Sequence, residues 1–275
     1  MFKRSFHSKD RAGKAVKPVK KSYREHTKMK LQQKLDSPPV GSSLTSPIIT
    51  LIVGREQRLF AAHEDVLSLS PFFTAALKGQ FLESTAKKVE LPDEEPEIFS
   101  CVLEYLYKGD YYPRLQYNKR LHTWELEDTP TPQDSSPHHK PRGHHAPPPS
   151  TIHHPGVGGT VLKDTVIYCT ADKFGLDELK RLALRKQGLQ SSISVETILR
   201  SARFAYEHTP ETDSKLRGAF LALIIRSRKI FKRSGTMQME MEIGGSKLFF
   251  DLFCAMANHL EDVIEITNSR SPKSI

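Results

Sequence analysis

Phe60-Ala61-Ala62-His63-Glu64-Asp65-Val66-Leu67-Ser68-Leu69-Ser70-Pro71-Phe72-Phe73 is the most informative stretch of this 275-residue chain. Just ahead of it, Ile48-Ile49-Thr50-Leu51-Ile52-Val53 is β-branched and apolar on both faces, the composition of a buried strand. Gly54 to Gln57 suit a hairpin loop, so Arg58 to Ala62 returns as a second strand. A short hairpin is marginal in water, and the following residues must cover it.

Those residues read as helices. Val66, Leu67 and Leu69, then Phe72, Phe73, Ala76 and Leu77, place apolar groups on successive turns. Ser70-Pro71 is an N-cap followed by proline at the first helical position, so one helix stops near Leu69 and another starts at Pro71. Lys88-Val89-Glu90-Leu91 alternates with the period of a half-buried third strand. Pro96 opens a helix carrying Ile98, Phe99, Val102, Leu103 and Leu106 on one face, and Gly109 closes it.

The positions Phe60, Ala62, His63, Val66, Leu67, Ser70, Pro71 and Phe73 together resemble the signature of the BTB/POZ family. Tyr105-Leu106-Tyr107-Lys108-Gly109 is similar to the family's later Tyr-x-Tyr-x-Gly segment. The resemblance implies an α+β domain in which a three-stranded sheet caps a cluster of helices, devoted to protein–protein contact. Downstream, Tyr168-Cys169-Thr170-Ala171-Asp172-Lys173-Phe174-Gly175 with Leu179-Lys180 resembles the family's last helix pair. The layout is similar to stand-alone fungal BTB proteins.

Between Tyr112 and Val161 the pattern breaks. Nine of the eighteen prolines fall between Pro113 and Pro155, with His pairs at 138–139, 144–145 and 153–154. This composition predicts a disordered insertion over 113–160 that interrupts a domain spanning 47–186. Paired imidazoles invite a metal, but no Cys and no carboxylate lies between the pairs to fix a geometry, so no metal site is expected. Trp124, the sole tryptophan, is expected to dock back on the domain. Val161, Leu162, Thr165, Val166 and Cys169 then read as one helical stripe and Leu176, Leu179, Leu182 and Ala183 as the next.

From 187 to 267 the chain reads as a helical extension, with stripes over 195–207, 214–231 and 248–264, followed by a tail at 268–275. Met237 to Ile243 alternates with period two and admits either strand or helix.

The net charge of +9 sits in one place. Residues 1–36 hold twelve Lys or Arg against three Asp or Glu, and the remaining 239 residues hold 29 of each. A basic arm over 1–46 with few apolar residues is expected to be disordered. Lys17-Pro18-Val19-Lys20-Lys21 fits either a solvated tail or a nuclear import signal. Without aromatic interleaving, contacts with nucleic acid are expected to be nonspecific at most. No run approaches a membrane span, and Cys101, Cys169 and Cys254 fall in apolar helical patterns as reduced thiols, placing the chain in nucleus or cytoplasm.

Enzymatic signals are weak. Ser84-Thr85-Ala86-Lys87 has no companion motif, Gly156-Val157-Gly158-Gly159 follows a proline-rich stretch where a dinucleotide site needs a strand, and His63 has no nucleophile nearby. No catalysis and no cofactor are expected. Two binding roles remain. Adaptors of cullin-RING ubiquitin ligases in the family carry an apolar-x-Glu motif between the second helix and third strand, where Phe81-Leu82-Glu83 stands here. The resemblance therefore implies a cullin scaffold as partner, with Phe81, Leu82, Glu83 and Tyr107 as contacts and substrate proteins unspecified. The alternative is a homotypic assembly module in nuclear transcription regulation, a homodimer. Family members of that kind carry an Asp in the first strand and a basic residue after the signature His, but Ile48 and Glu64 hold those positions here.

Overall fold

A computed structural model of the chain describes residues 46–78, 87–120, 122–127, 150–190, 193–232 and 234–270. Strand β1 (Ile48–Val53) and strand β2 (Arg58–His63) form an antiparallel hairpin with Ile48 opposite His63 and Val53 opposite Arg58. Gly54 turns the corner at φ 76°, and its carbonyl accepts a hydrogen bond from the Gln57 amide. Strand β3 (Lys88–Leu91) adds parallel to β1, giving the order β2-β1-β3. The sheet buries only one face. Ile49, Leu51 and Val53 point into the core while Ile48 is 60% exposed, so the strand expected to be buried on both faces is half-buried. On the other side of β1, Ile48 and Thr50 are exposed and Ile52 is half-buried, and β-branching there suits the extended backbone.

The covering helices are α1 (Glu64–Leu67), α2 (Pro71–Lys78) and α3 (Pro96–Lys108). Helix α3 has Pro at its first turn and ends on Gly109 at φ 75°, whose amide caps the Tyr105 carbonyl.

Beyond α3 the structure corrects the expected insertion. Residues 115–118 and 123–126 pair as the antiparallel strands β4 (Leu115–Asn118) and β5 (Thr123–Leu126) of a hairpin. A second hairpin joins β6 (Thr151–His154) to β7 (Gly159–Leu162) around a short 3₁₀ turn at Pro155–Val157. His153 and His154 therefore belong to a strand. His138, His139, His144 and His145 lie outside the described residues, as does Leu121. Val161 and Leu162, read above as helical, are the last residues of β7, and helix α4 (Lys163–Lys173) starts after them. Helix α5 (Asp177–Gln187) follows across Gly175, which sits at φ 69° with its Cα against the Pro71 ring, so a side chain there would meet that ring at 3.1 Å.

The C-terminal region is helical, as the sequence predicts: α6 (Val195–His208), α7 (Lys215–Arg226), α8 (Arg228–Phe231), α9 (Gly235–Ile243) and α10 (Leu248–Arg270). The ambiguous Met237–Ile243 is thus a helix. Its Glu240 is buried and paired with Arg203 of α6 at 3.0 Å, a tertiary contact that decides between the two local periodicities.

One hydrophobic core runs from Ile49 to Leu252. Helix α6 packs on β7, where the Leu162 amide donates to the buried Ser201 hydroxyl at 2.8 Å. The extension is therefore fused to the domain instead of tethered to it. Lys180 of α5 pairs with Asp213, ahead of α7, at 2.7 Å, and Tyr168 of α4 donates to the same carboxylate at 2.7 Å.

Candidate protein-binding surface

The signature residues converge on the junction from β2 to α1 and α2. Ala62, Val66, Leu67 and Phe73 are buried, and Phe60 packs its ring edge-on to Phe99 of α3 at 5.4 Å. Phe73 joins Phe72, Phe99 and Phe174 in an aromatic cluster with centroids 5.0 to 6.3 Å apart. Ser70 links the two halves of the domain. Its hydroxyl donates to the Phe174 carbonyl at 2.6 Å and accepts from the Phe73 amide at 3.5 Å, so one side chain caps α2 and fixes α4 beneath it.

His63 and Tyr107 form a closed pair. The Tyr107 hydroxyl accepts from the His63 amide at 2.9 Å and lies 2.8 Å from His63 Nδ1. One phenol thus serves both the backbone amide and the ring of His63. His63 therefore holds the strand-to-helix turn against α3, and it has no catalytic partner among its described neighbours. Tyr107, half-buried, uses its hydroxyl inward and keeps part of its ring at the surface.

Phe81, Leu82 and Glu83 lie outside the described residues, as do Ser84 to Ala86. What is described is their frame. Helix α2 ends at Lys78 and β3 begins at Lys88, so the motif occupies the connection between them.

A buried ionic network, unsuspected from sequence, ties the end of α3 to α4 and α5. The Lys186 side chain is fully enclosed. Its ammonium pairs with Asp110, donates to the carbonyls of Tyr111 and of Pro113, the latter at 2.8 Å, and lies 3.5 Å from the centre of the Tyr111 ring. Asp110 also accepts from the amides of Tyr111 at 2.7 Å and Leu115 at 2.9 Å, which fixes the entry to β4. The Tyr111 hydroxyl donates to Asp164 at 2.7 Å, and Gln190 donates to the other oxygen of that carboxylate at 3.0 Å. Burial pulls Lys186 below its usual value against the opposing pull of Asp110, and burial next to Asp164 holds the Tyr111 phenol well above its own. Every charge in the cluster is hydrogen-bonded, which is what makes such a cluster tolerable. The sequence signal was present in Asp110-Tyr111 immediately after the closing glycine and in a lysine on the apolar side of α5.

Trp124 docks as expected. Its ring meets Tyr117 at 5.2 Å and the Arg185 guanidinium at 5.6 Å, which seats the β4–β5 hairpin on α5. Burial pushes the Cys101 thiol up, and that of Cys169 to about 12, so both are protonated, unreactive core residues. Among the described residues no group of three or more His, Cys, Asp or Glu is placed to hold a metal, and no helix is long and apolar enough to cross a membrane.

The family model of the BTB/POZ domain matches residues 49–126, and so includes the β4–β5 hairpin. Kelch-like protein 30 of Homo sapiens is 37% identical over 62 residues, 22% of this chain and 10% of that protein. Kelch-like protein 30 of Mus musculus matches to the same extent. The shared stretch spans about a tenth of the length of these relatives.

Proposed function

We propose that this chain, which carries a BTB/POZ domain over residues 49–126, works by binding other proteins and acts as a substrate adaptor of a cullin-RING ubiquitin ligase. The observation that carries the adaptor role is the position of Phe81-Leu82-Glu83 in the connection from α2 to β3. An aromatic anchor that fills a pocket, beside a carboxylate that orients the approach, suits a small hot spot. The frame around it is stiff. Phe73 and the Ser70 bond to Phe174 hold α2 from below, and β3 pairs with β1, so the connection leaves and re-enters a fixed scaffold. Tyr107, on α3, presents the edge of its ring near the β2–α1 junction and supplements the surface.

In this reading the fused helices α6–α10 carry the substrate-facing or scaffold-facing surface, and the chain works without catalysis or cofactor in nucleus or cytoplasm. The nuclear assembly module has less support, since Ile48 and Glu64 stand where its charged pair is needed. The test is recovery of a cullin by the full-length chain and its loss on replacing both Phe81 and Glu83 by alanine. A cullin recovered equally by the double variant removes the motif from the mechanism.

A further inference from the structure

Strand β2 is an edge of its sheet, and the hydrogen bonds around it fix which of its backbone groups are open. The Thr50 amide donates to the Lys87 carbonyl and the Gly54 amide to that of Leu91, both at 2.9 Å, so the even-numbered residues of β1 turn their backbone toward β3. Ile49, Leu51 and Val53 therefore face β2 and bond with Ala62, Phe60 and Arg58 opposite them. By the same alternation Leu59, Ala61 and His63 direct N–H and C=O away from the sheet. The Tyr107 hydroxyl takes the His63 amide, whereas the outward groups of Leu59 and Ala61 meet no strand among the described residues. The edge holds no proline and its register against β1 has no bulge, two devices that would keep a free edge from pairing.

Beside this edge lies a groove of about 460 Å³, within the size range of ligand sites. Phe60 forms one wall, Ser100 and Cys101 of α3 lie in the floor, and Tyr112, Thr151 and Lys163 stand opposite. No residue of β1 or β3 lines it, which puts it on the β2 side of the sheet. Its charge is uneven. Glu104 is occupied, accepting from Lys108 at 3.1 Å and from the Tyr112 amide at 3.0 Å, which leaves Arg58 and Lys163 against Glu97 alone. None of these last three is in an ion pair among the described residues.

We infer that an extended segment of another protein binds here as an added strand, pairing with β2 at Leu59 and Ala61 and turning a carboxylate side chain toward Lys163. Two observations select that occupant. Open N–H and C=O groups at a strand's spacing are matched by extended backbone, whose alternate side chains then enter the neighbouring groove. The surplus of positive charge in that groove suits an acidic side chain. The site is at the opposite edge of the sheet from β3, where the connection holding Phe81 returns, and it does not depend on the adaptor role.

The experiment is a fluorescence anisotropy titration of the full-length chain with the labelled peptide Thr-Val-Thr-Glu-Thr-Val-Thr, whose two valines and glutamate share one face when extended. Saturable binding is expected, with slowed hydrogen exchange at the Leu59 and Ala61 amides. N-methylating the three amides of one face should abolish binding and N-methylating those of the other should not, because only alternate amides of an added strand meet the edge. Ala61→Pro removes one outward N–H at an edge position that tolerates proline and should weaken binding about tenfold, as should Lys163→Glu, with the unfolding midpoint as control for the fold. Absence of saturable binding overturns the proposal. So does binding that Lys163→Glu and both methylation patterns leave unchanged, which would place the peptide elsewhere. Leu59 and Ala61 amides already protected from exchange in the chain without peptide would also overturn it, assigning the edge to another part of this chain or to a second copy.

Discussion

Replacing Lys186 with methionine removes the ammonium at the centre of the buried network while keeping the length of the side chain. Three acceptors then lose their donor: the Asp110 carboxylate and the carbonyls of Tyr111 and Pro113. Asp110 is only 5% exposed and retains just the amides of Tyr111 and Leu115. Breaking a buried pair from one side leaves an uncompensated charge and costs about 3–5 kcal/mol. At about 2–4 °C per kcal/mol for a domain of this size, the midpoint should fall by roughly 10 °C. Urea unfolding read through Trp124 is a suitable assay, because that residue sits on the hairpin the network anchors. Adding Asp110→Asn to the same chain should recover part of the loss, since the orphaned charge is then gone. A loss below about 1 kcal/mol for Lys186→Met, or no recovery in the double variant, would refute the reasoning that the network needs its lysine.

Other consequences are smaller or simpler. Phe73→Ala opens a cavity among Phe72, Phe99 and Phe174 and should cost about 3–5 kcal/mol, measured by thermal unfolding; a loss under about 1 kcal/mol would mean the cluster collapses to fill it. Tyr107→Phe removes one phenol that serves both His63 groups and should cost about 1 kcal/mol in the same assay, with the fold retained. Asp213 is raised by burial, but the bonds from Lys180 and Tyr168 outweigh this and hold its carboxyl below the ordinary 3.8. A folded value below the unfolded one stabilises fully above 3.8 and loses that contribution as pH falls through the depressed value. Asp213→Asn should therefore flatten the acid limb of the stability–pH curve, and an acid limb identical to the wild type would show that this carboxylate does not couple the extension to the domain.

The parts of the fold that were legible in the sequence are those whose signals are local. Gly54 to Gln57 announces its hairpin, Ser70-Pro71 and Pro96 announce helix starts, and Gly109 announces an end, because turns and caps depend on neighbours in the chain. The two later hairpins were not legible. Leu115-Gln116-Tyr117-Asn118 and Thr123-Trp124-Glu125-Leu126 do alternate with period two, but each run is only four residues long and borders a proline- and histidine-rich stretch, and the pair is held by Asp110 and by Lys186 and Arg185, the last two far off in sequence. Val161 pairs with Ile152 and lies under α6, so it is a strand for reasons of tertiary contact, although its spacing to Thr165 fits a helix. The site divides the same way. The roles of His63, Ser70 and Phe73 follow from the signature, whereas the Tyr107 hydroxyl reaching back to His63 across 44 residues needed the folded chain.

The most direct test of the adaptor role is a binding isotherm between a purified cullin N-terminal scaffold and the full-length chain, repeated with Phe81→Ala and Glu83→Ala combined. Saturable binding by the wild type, weakened at least a hundredfold in the double variant while Trp124 fluorescence and the unfolding midpoint stay unchanged, is the predicted result. Binding that survives the double substitution, or a wild type that does not bind at all, would contradict it.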